Sequence, residues 1–233
     1  MTDSTSQRIR DSWRANAQAW VDAVRSGRIE SRRLVTDQAV LDAVLKPWPR
    51  RVLDLGCGEG WLCRELFYRG IDFVGVDASY ELIEAAQQAY HGHQSMGQFV
   101  ADNYRVVEMD YKVYGQYDLI VCNFSLLEED LRPILATLIR LLKPQGRVVI
   151  QTVHPMTACG PEGYRDGWRL ETFAGMGEGF REPMPWYFRT VQGWYSLMTE
   201  AGYRLERLSE PCHPDTGMPL SLLMELRVQD AAA

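Results

Sequence analysis

Long apolar runs are missing from this sequence. Nowhere do 18 consecutive apolar residues occur, and the opening "MTDSTSQRIRDSW" has no apolar core. A spanning helix and a secretory leader are therefore not expected, and the expected setting is cytoplasmic, with no membrane partner. Paired cysteine motifs are missing too. Cys57, Cys63, Cys122, Cys159 and Cys212 are odd in number and form no C-x-x-C pair. That argues against a disulfide framework and reads as reduced, largely structural thiols. Histidine is scarce, with four residues. His91 and His93 are close, but no cysteine or third histidine is near them, so no metal is expected. Blocks of Lys/Arg are absent and the net charge is −6. An acidic chain has no general attraction for nucleic acid or anionic lipid. The doublet Arg32-Arg33 reads as a solvated helix face.

What is present suits one α/β domain. The chain has 233 residues, 46% of them apolar, enough for a buried core. Helical spacing marks residues 11–24 (Trp13, Ala17, Trp20, Val24), and a second helix is expected over 36–45, stopped by Pro47 and Pro49. An alternation then begins. "RVLDLG", "DFVGVD", "GQFVAD", "YDLIVCNF" and "RVVIQTV" read as strands; "GWLCRELFYRG", "SYELIEAAQQAY" and "DLRPILATLIRLLKPQG" read as the helices among them, the last two N-capped by Ser79 and Asp130. This order implies a Rossmann-like, doubly wound parallel sheet. Residues 155–192 break the rhythm with Gly, Pro and aromatics, after which a helix and two strands close the chain. Within one domain, 1–233, the expected parts are a helical cap (1–49), a cofactor-binding core (50–154), a substrate lid (155–192), and a closing helix and strand pair (193–233).

"RVLDLGCGEGWL" places Gly56, Gly58 and Gly60 between a strand and a helix. The dinucleotide fingerprint G-x-G-x-x-G needs its third glycine at 61, where Trp61 stands. Asp54 and Glu59 also bring carboxylates to a place where a pyrophosphate needs bare N–H groups. Two acids suit a cationic ligand with no phosphate, such as S-adenosylmethionine. The next strand ends in Asp77, 21 residues after Gly56, where an acid takes ribose hydroxyls.

"VLDLGCGEG", "VGVDAS", "YDLIVCNFSLL" and "LLKPQGRVVI" together resemble the class I S-adenosylmethionine-dependent methyltransferases, most closely the small-molecule, type 11/12-like branch. The resemblance implies a seven-stranded sheet with the last strand antiparallel, S-adenosyl-L-methionine as cofactor and S-adenosyl-L-homocysteine as product. It places Asp54, Gly56, Cys57 and Gly58 at the amino-acid end of the cofactor, Asp77 at the ribose, Ala78 beside the adenine, and Asn123 in the pocket wall. For the adenine amino group, Asp102 is preferred over Asp110, because it directly follows the apolar run.

The acceptor is less legible. Methyl transfer from a sulfonium is an in-line displacement that needs alignment, exclusion of water and sometimes a base. The Asn/Asp/Ser-Pro-Pro-aromatic motif of enzymes methylating DNA amines is replaced by "CNFSLLEED", so DNA is not expected. His154, leaving the fifth strand before Pro155, is a candidate base or a strand-end cap. Nine aromatic residues fall within 161–195, which reads as a lid over an apolar or planar small molecule or as a satellite core. Trp20, Trp168, Trp186 and Tyr187 are the candidate contacts, and Arg189 is a candidate for an acidic group or a surface salt bridge. The competing expectations are an NAD(P)-dependent oxidoreductase, a non-catalytic cofactor-binding protein, and a methyltransferase acting on protein or RNA. The oligomeric state is left open.

Overall fold

The computed structural model describes residues 2–46, 48–92 and 96–229. Helix α1 (Thr2–Arg25) leads through a π-helical turn, Arg32–Thr36, into α2 (Asp37–Leu45). The strands β1 (Arg51–Leu55), β2 (Asp72–Asp77), β3 (Gly97–Ala101), β4 (Tyr117–Asn123) and β5 (Leu142–Val153) alternate with helices α3 (Trp61–Tyr68), α4 (Tyr80–Ala89), α5 (Tyr104–Met109), α6 (Tyr111–Tyr114) and α7 (Arg132–Leu141). A short α8 (Pro155–Ala158), a hairpin of β6 (Gly167–Glu171) and β7 (Met184–Phe188), α9 (Val191–Glu200), β8 (Tyr203–Ser209) and β9 (Ser221–Val228) complete the chain.

Seven strands form one sheet in the order β3-β2-β1-β4-β5-β9-β8. The first five pair in parallel, and β9 runs antiparallel to both neighbours. The expected doubly wound sheet with an antiparallel last strand is what forms. Alternation along the strands fills two cores. Leu53, Leu55, Val74, Ile120 and Ile150 meet Ile134, Leu135 and Leu138 of α7 and Trp194 of α9 on one face. Val52, Phe73, Leu119 and Val121 meet Val40 and Val44 of α2 and Leu62 and Leu66 of α3 on the other. Each such aliphatic side chain contributes about 1.5–3 kcal/mol when fully buried. Among the described residues no helix is long and apolar enough to cross a membrane.

Three local expectations are corrected. The N-cap of α7 is Leu131, and Asp130 instead accepts from the Arg132 N–H at 3.2 Å. The stretch "LKPQG" opens β5 as a bulge, because pairing with β4 jumps from Tyr117–Leu142 to Leu119–Arg147. Residues 155–192, expected as loop, contain the β6–β7 hairpin, whose alternation the Gly/Pro content hides. Ser79 caps α4 as expected, accepting from Leu82 N at 3.3 Å. His93 lies outside the described residues, and among those described no cluster of metal-ligating side chains occurs.

Candidate functional site

Strand order reverses between β1 and β4, so a crevice opens at their carboxyl ends. Gly56, Gly58 and Gly60 shape its floor, all with positive φ (85°, 55° and 80°). They differ in what surrounds them. A Cβ on Gly56 would lie 2.2 Å from the Ser125 Cβ, and one on Gly60 would lie 2.8 Å from the Phe99 ring. Those two glycines serve packing as well as the turn. A Cβ on Gly58 would meet only the Trp20 indole nitrogen of α1, at 3.7 Å. Gly58 is the glycine with room above it. Asp77 holds this turn: its Oδ2 accepts from Gly58 N and its Oδ1 from Ser79 N, both at 2.9 Å. Burial pushes the Asp77 carboxyl up, against the pull of these N–H groups. Each oxygen keeps a second acceptor position for a hydroxyl. Ala78 is exposed beside it. Asp102 follows β3, donates its own N–H to the Asp77 carbonyl at 3.0 Å, and accepts from the Tyr114 hydroxyl.

Asp54 is 2% exposed and takes a long bond from the Cys63 thiol at 3.5 Å. Its Oδ1 has no partner among the described residues. Burial, more than the nearby Asp77, pushes its carboxyl up to about 7, against the lowering by Cys63 and Arg32. Cys57 is buried beside Cys63, and burial pushes its thiol up to about 11, so it lines the floor as an apolar group. The Arg32 side chain is 11% exposed, bonds Asp37 Oδ1 at 2.9 Å and stacks 5.1 Å over Trp61. Its Nη2 and the Thr36 hydroxyl are also buried without partners. Arg32 lies near enough to Asp54 to favour its ionised form, while its own ion pair is with Asp37. Buried polar atoms without partners are costly unless something else satisfies them. At the end of β4, Asn123 accepts at Oδ1 from Gln151 Nε2, at 2.9 Å.

A family model for a methyltransferase domain matches residues 29–208. The chain belongs to this methyltransferase family. It is similar to an uncharacterized protein of Haemophilus influenzae, 23% identical over 208 residues and covering 82% of each chain. It is also similar to the malonyl-[acyl-carrier protein] O-methyltransferase of Halalkalibacterium halodurans, 32% identical over 116 residues, 48% of this chain and 42% of that one. The chain thus spans less than half the length of that named relative. In fold it matches a crystal structure of the Burkholderia thailandensis 1,6-didemethyltoxoflavin-N1-methyltransferase, with a TM-score of 0.66, 22% identity, and coverage of 99% and 91%. Family membership decides against the nicotinamide-dependent oxidoreductase.

In this methyltransferase Asp54 lies in β1 near its end, Gly58 in the turn that follows, Asp77 ends β2, Asp102 follows β3 and Asn123 ends β4, all on the carboxyl side of the sheet. Glu59 has another task. It is 1% exposed, and its carboxylate accepts from Arg25 Nε and Arg64 Nη2, both at 2.8 Å, tying α1 and α3 to the turn. It is no longer available to a cationic ligand. His154 is buried with both ring nitrogens engaged: Nδ1 accepts from Met156 N at 3.2 Å, and Nε2 lies 2.8 Å from Glu210 Oε1. The ring thereby N-caps α8 at the exit of β5.

The insertion packs on α1. Ile9 and Trp13 pack with Phe173, Met184, Phe180 and Trp186. Asn16, 1% exposed, accepts from Arg181 N at 2.7 Å and donates to Glu182 O at 2.7 Å. Trp20 meets Trp13 at 5.1 Å and Phe180 of the insertion at 6.3 Å, both edge to face, and its indole nitrogen faces the Gly58 turn. Trp168 and Tyr187 pair across the hairpin at 5.4 Å, with Trp168 partly exposed. Arg189 is 4% exposed, so the surface salt bridge does not form. It lies over Tyr187 and Trp194 and donates to the carbonyls of Glu128 and Glu129. Sequence reasoning missed Arg32, Thr36 and Gln151. The signal for Arg32 was the doublet itself, in which Arg32 turns inward while Arg33 stays exposed.

Proposed function

We propose that this methyltransferase holds S-adenosyl-L-methionine in the crevice and methylates a small organic molecule at oxygen, nitrogen or carbon, leaving S-adenosyl-L-homocysteine. One observation carries the reading. Three buried polar atoms, Asp54 Oδ1, Arg32 Nη2 and the Thr36 hydroxyl, have no partner among the described residues. An amino-acid end satisfies all three: its ammonium suits Asp54, and its carboxylate suits Arg32 and Thr36. Asp77 then takes ribose hydroxyls, with Ala78 and Asp102 on the adenine side, Cys57 and Gly58 beneath, and Trp20 above. When bound, the cofactor supplies a methyl already activated on a sulfonium. What is left to the chain is alignment and exclusion of water.

The covering insertion governs the acceptor, with Trp186, Tyr187 and Trp168 as its contact surface. Arg189 shapes this wall by fixing the backbone at 128–129. The O-methyltransferase and the N-methyltransferase named above leave the accepting atom open, and the second, which acts on 1,6-didemethyltoxoflavin, supports a small acceptor. His154 positions the exit of β5. The test is calorimetric titration of the folded protein with S-adenosyl-L-homocysteine and with NAD. Saturable binding of the first alone is expected. Binding of NAD in its place overturns the reading.

A further inference from the structure

Gln151 lies near the end of β5, is 1% exposed, and has every side-chain hydrogen-bonding group engaged. Its Nε2 donates to the Thr36 carbonyl at 3.0 Å and to Asn123 Oδ1 at 2.9 Å. Its Oε1 accepts from the Ser221 hydroxyl at 3.1 Å. Its own carbonyl accepts at 2.7 Å from the N–H of Phe124, the residue after β4, which takes a left-handed φ of 54°. These bonds determine one another. A backbone carbonyl only accepts, so Thr36 decides which end of the Gln151 amide is nitrogen. That nitrogen in turn decides Asn123, which must face it with oxygen. Among the described residues nothing accepts from Asn123 Nδ2, and Asn123 is half-buried at the mouth of the crevice. The amide N–H₂ is therefore what Asn123 offers there.

We propose that Gln151 is a positioning residue for methyl transfer. It fixes the Arg32–Thr36 turn to the ends of β4 and β5, setting the distance between the wall that grips the cofactor's amino-acid end and the wall that carries Asn123 as a donor. The proposal rests on the cofactor reading above. No substitute reproduces the set of bonds. Glutamate lacks the two donors, asparagine is a methylene short, and methionine fills the volume without a hydrogen bond.

The experiment compares two ligands by calorimetry. S-adenosyl-L-homocysteine carries the amino-acid end; 5′-methylthioadenosine keeps the nucleoside and lacks that end. Gln151→Met is expected to weaken the first about tenfold and to leave the second within twofold. Gln151→Glu is expected to show the same split. A merely structural glutamine lowers both affinities together, and that result, or unchanged binding of S-adenosyl-L-homocysteine, overturns the proposal. If Gln151→Met does not fold, Ser221→Ala removes the single bond to Oε1. About a threefold loss confined to S-adenosyl-L-homocysteine is then expected, and no loss overturns the proposal. Wild-type protein that fails to bind S-adenosyl-L-homocysteine refutes the cofactor reading before any variant is made, so the two failures are told apart.

Discussion

The crevice and the insertion that packs on α1 are held together in different ways. At the strand ends, register and the left-handed glycines of the turn fix the backbone, and nearby polar atoms of Asp54, Arg32 and Thr36 have no partner among the described residues. In the insertion, polar side chains bind distant backbone: Ser12 and Asn16 clamp Arg181 and Glu182, and Arg189 donates through Nη2 to the carbonyls of Glu128 and Glu129 while its Nη1 is buried without a partner among the described residues. Local backbone builds the first region; contacts across 60 to 170 residues of chain build the second.

The largest effect that sharpens this contrast is expected on turnover. Trp186→Ala should cut methyl transfer to an identified acceptor by about a hundredfold, since small misalignments are that costly, while cofactor affinity stays within twofold. Steady-state kinetics with a parallel cofactor titration measure both; lost affinity with normal turnover breaks the division. Next, Arg32→Met removes a charge-assisted donor from the crevice and should weaken S-adenosyl-L-homocysteine by about thirtyfold in calorimetric titration. Asp77→Ala removes the ribose acceptor and also frees Gly58 N, with an expected loss of more than about tenfold. Wild-type affinity in a folded Asp77→Ala protein removes this residue from the site.

The smallest effect is set by pH. The Asp54 carboxyl stands at about 7, above its unfolded value, so the free folded protein keeps a proton that the unfolded chain has released. That contribution to stability is present below about pH 4 and is lost as pH rises through about 7. A cationic ligand favours the ionised carboxylate. Affinity should therefore increase between about pH 6 and 7.5, by less than about tenfold per unit, and binding should release a proton. Titration in buffers of different ionisation enthalpy detects that proton, and Asp54→Asn should abolish it.

Much of the crevice was legible because it depends on local backbone. Glycines at every second position and acids at strand ends leave a spaced pattern, and alternating strands and helices fix the order of the sheet. The rest depends on distant partners. Asn16 meets Glu182 across 166 residues, and Gln151 meets Thr36 across 115. No spacing rule connects such positions. Glu59 was read by its charge in the turn, yet two arginines 34 and 5 residues away had already claimed it. Arg32 and Arg33 are alike as letters, and only the packed chain shows that Arg32 meets Asp37 and Trp61 while Arg33 faces outward.

The place of β9 bears on how the protein is made. It pairs with β5 along seven residues, from Arg147–Arg227 to Val153–Ser221, and it contributes Ser221 to the Gln151 amide. During synthesis β5 leaves the ribosome about 70 residues ahead of that partner, so its outer edge, a row of unpaired N–H and C=O groups between apolar faces, must wait. A nascent chain can assemble β1 to β5 around their helices in the meantime. Ser221 reaches the Gln151 amide only once β9 pairs with β5, so the last strand completes the crevice, and until it does the waiting edge is open to mispairing.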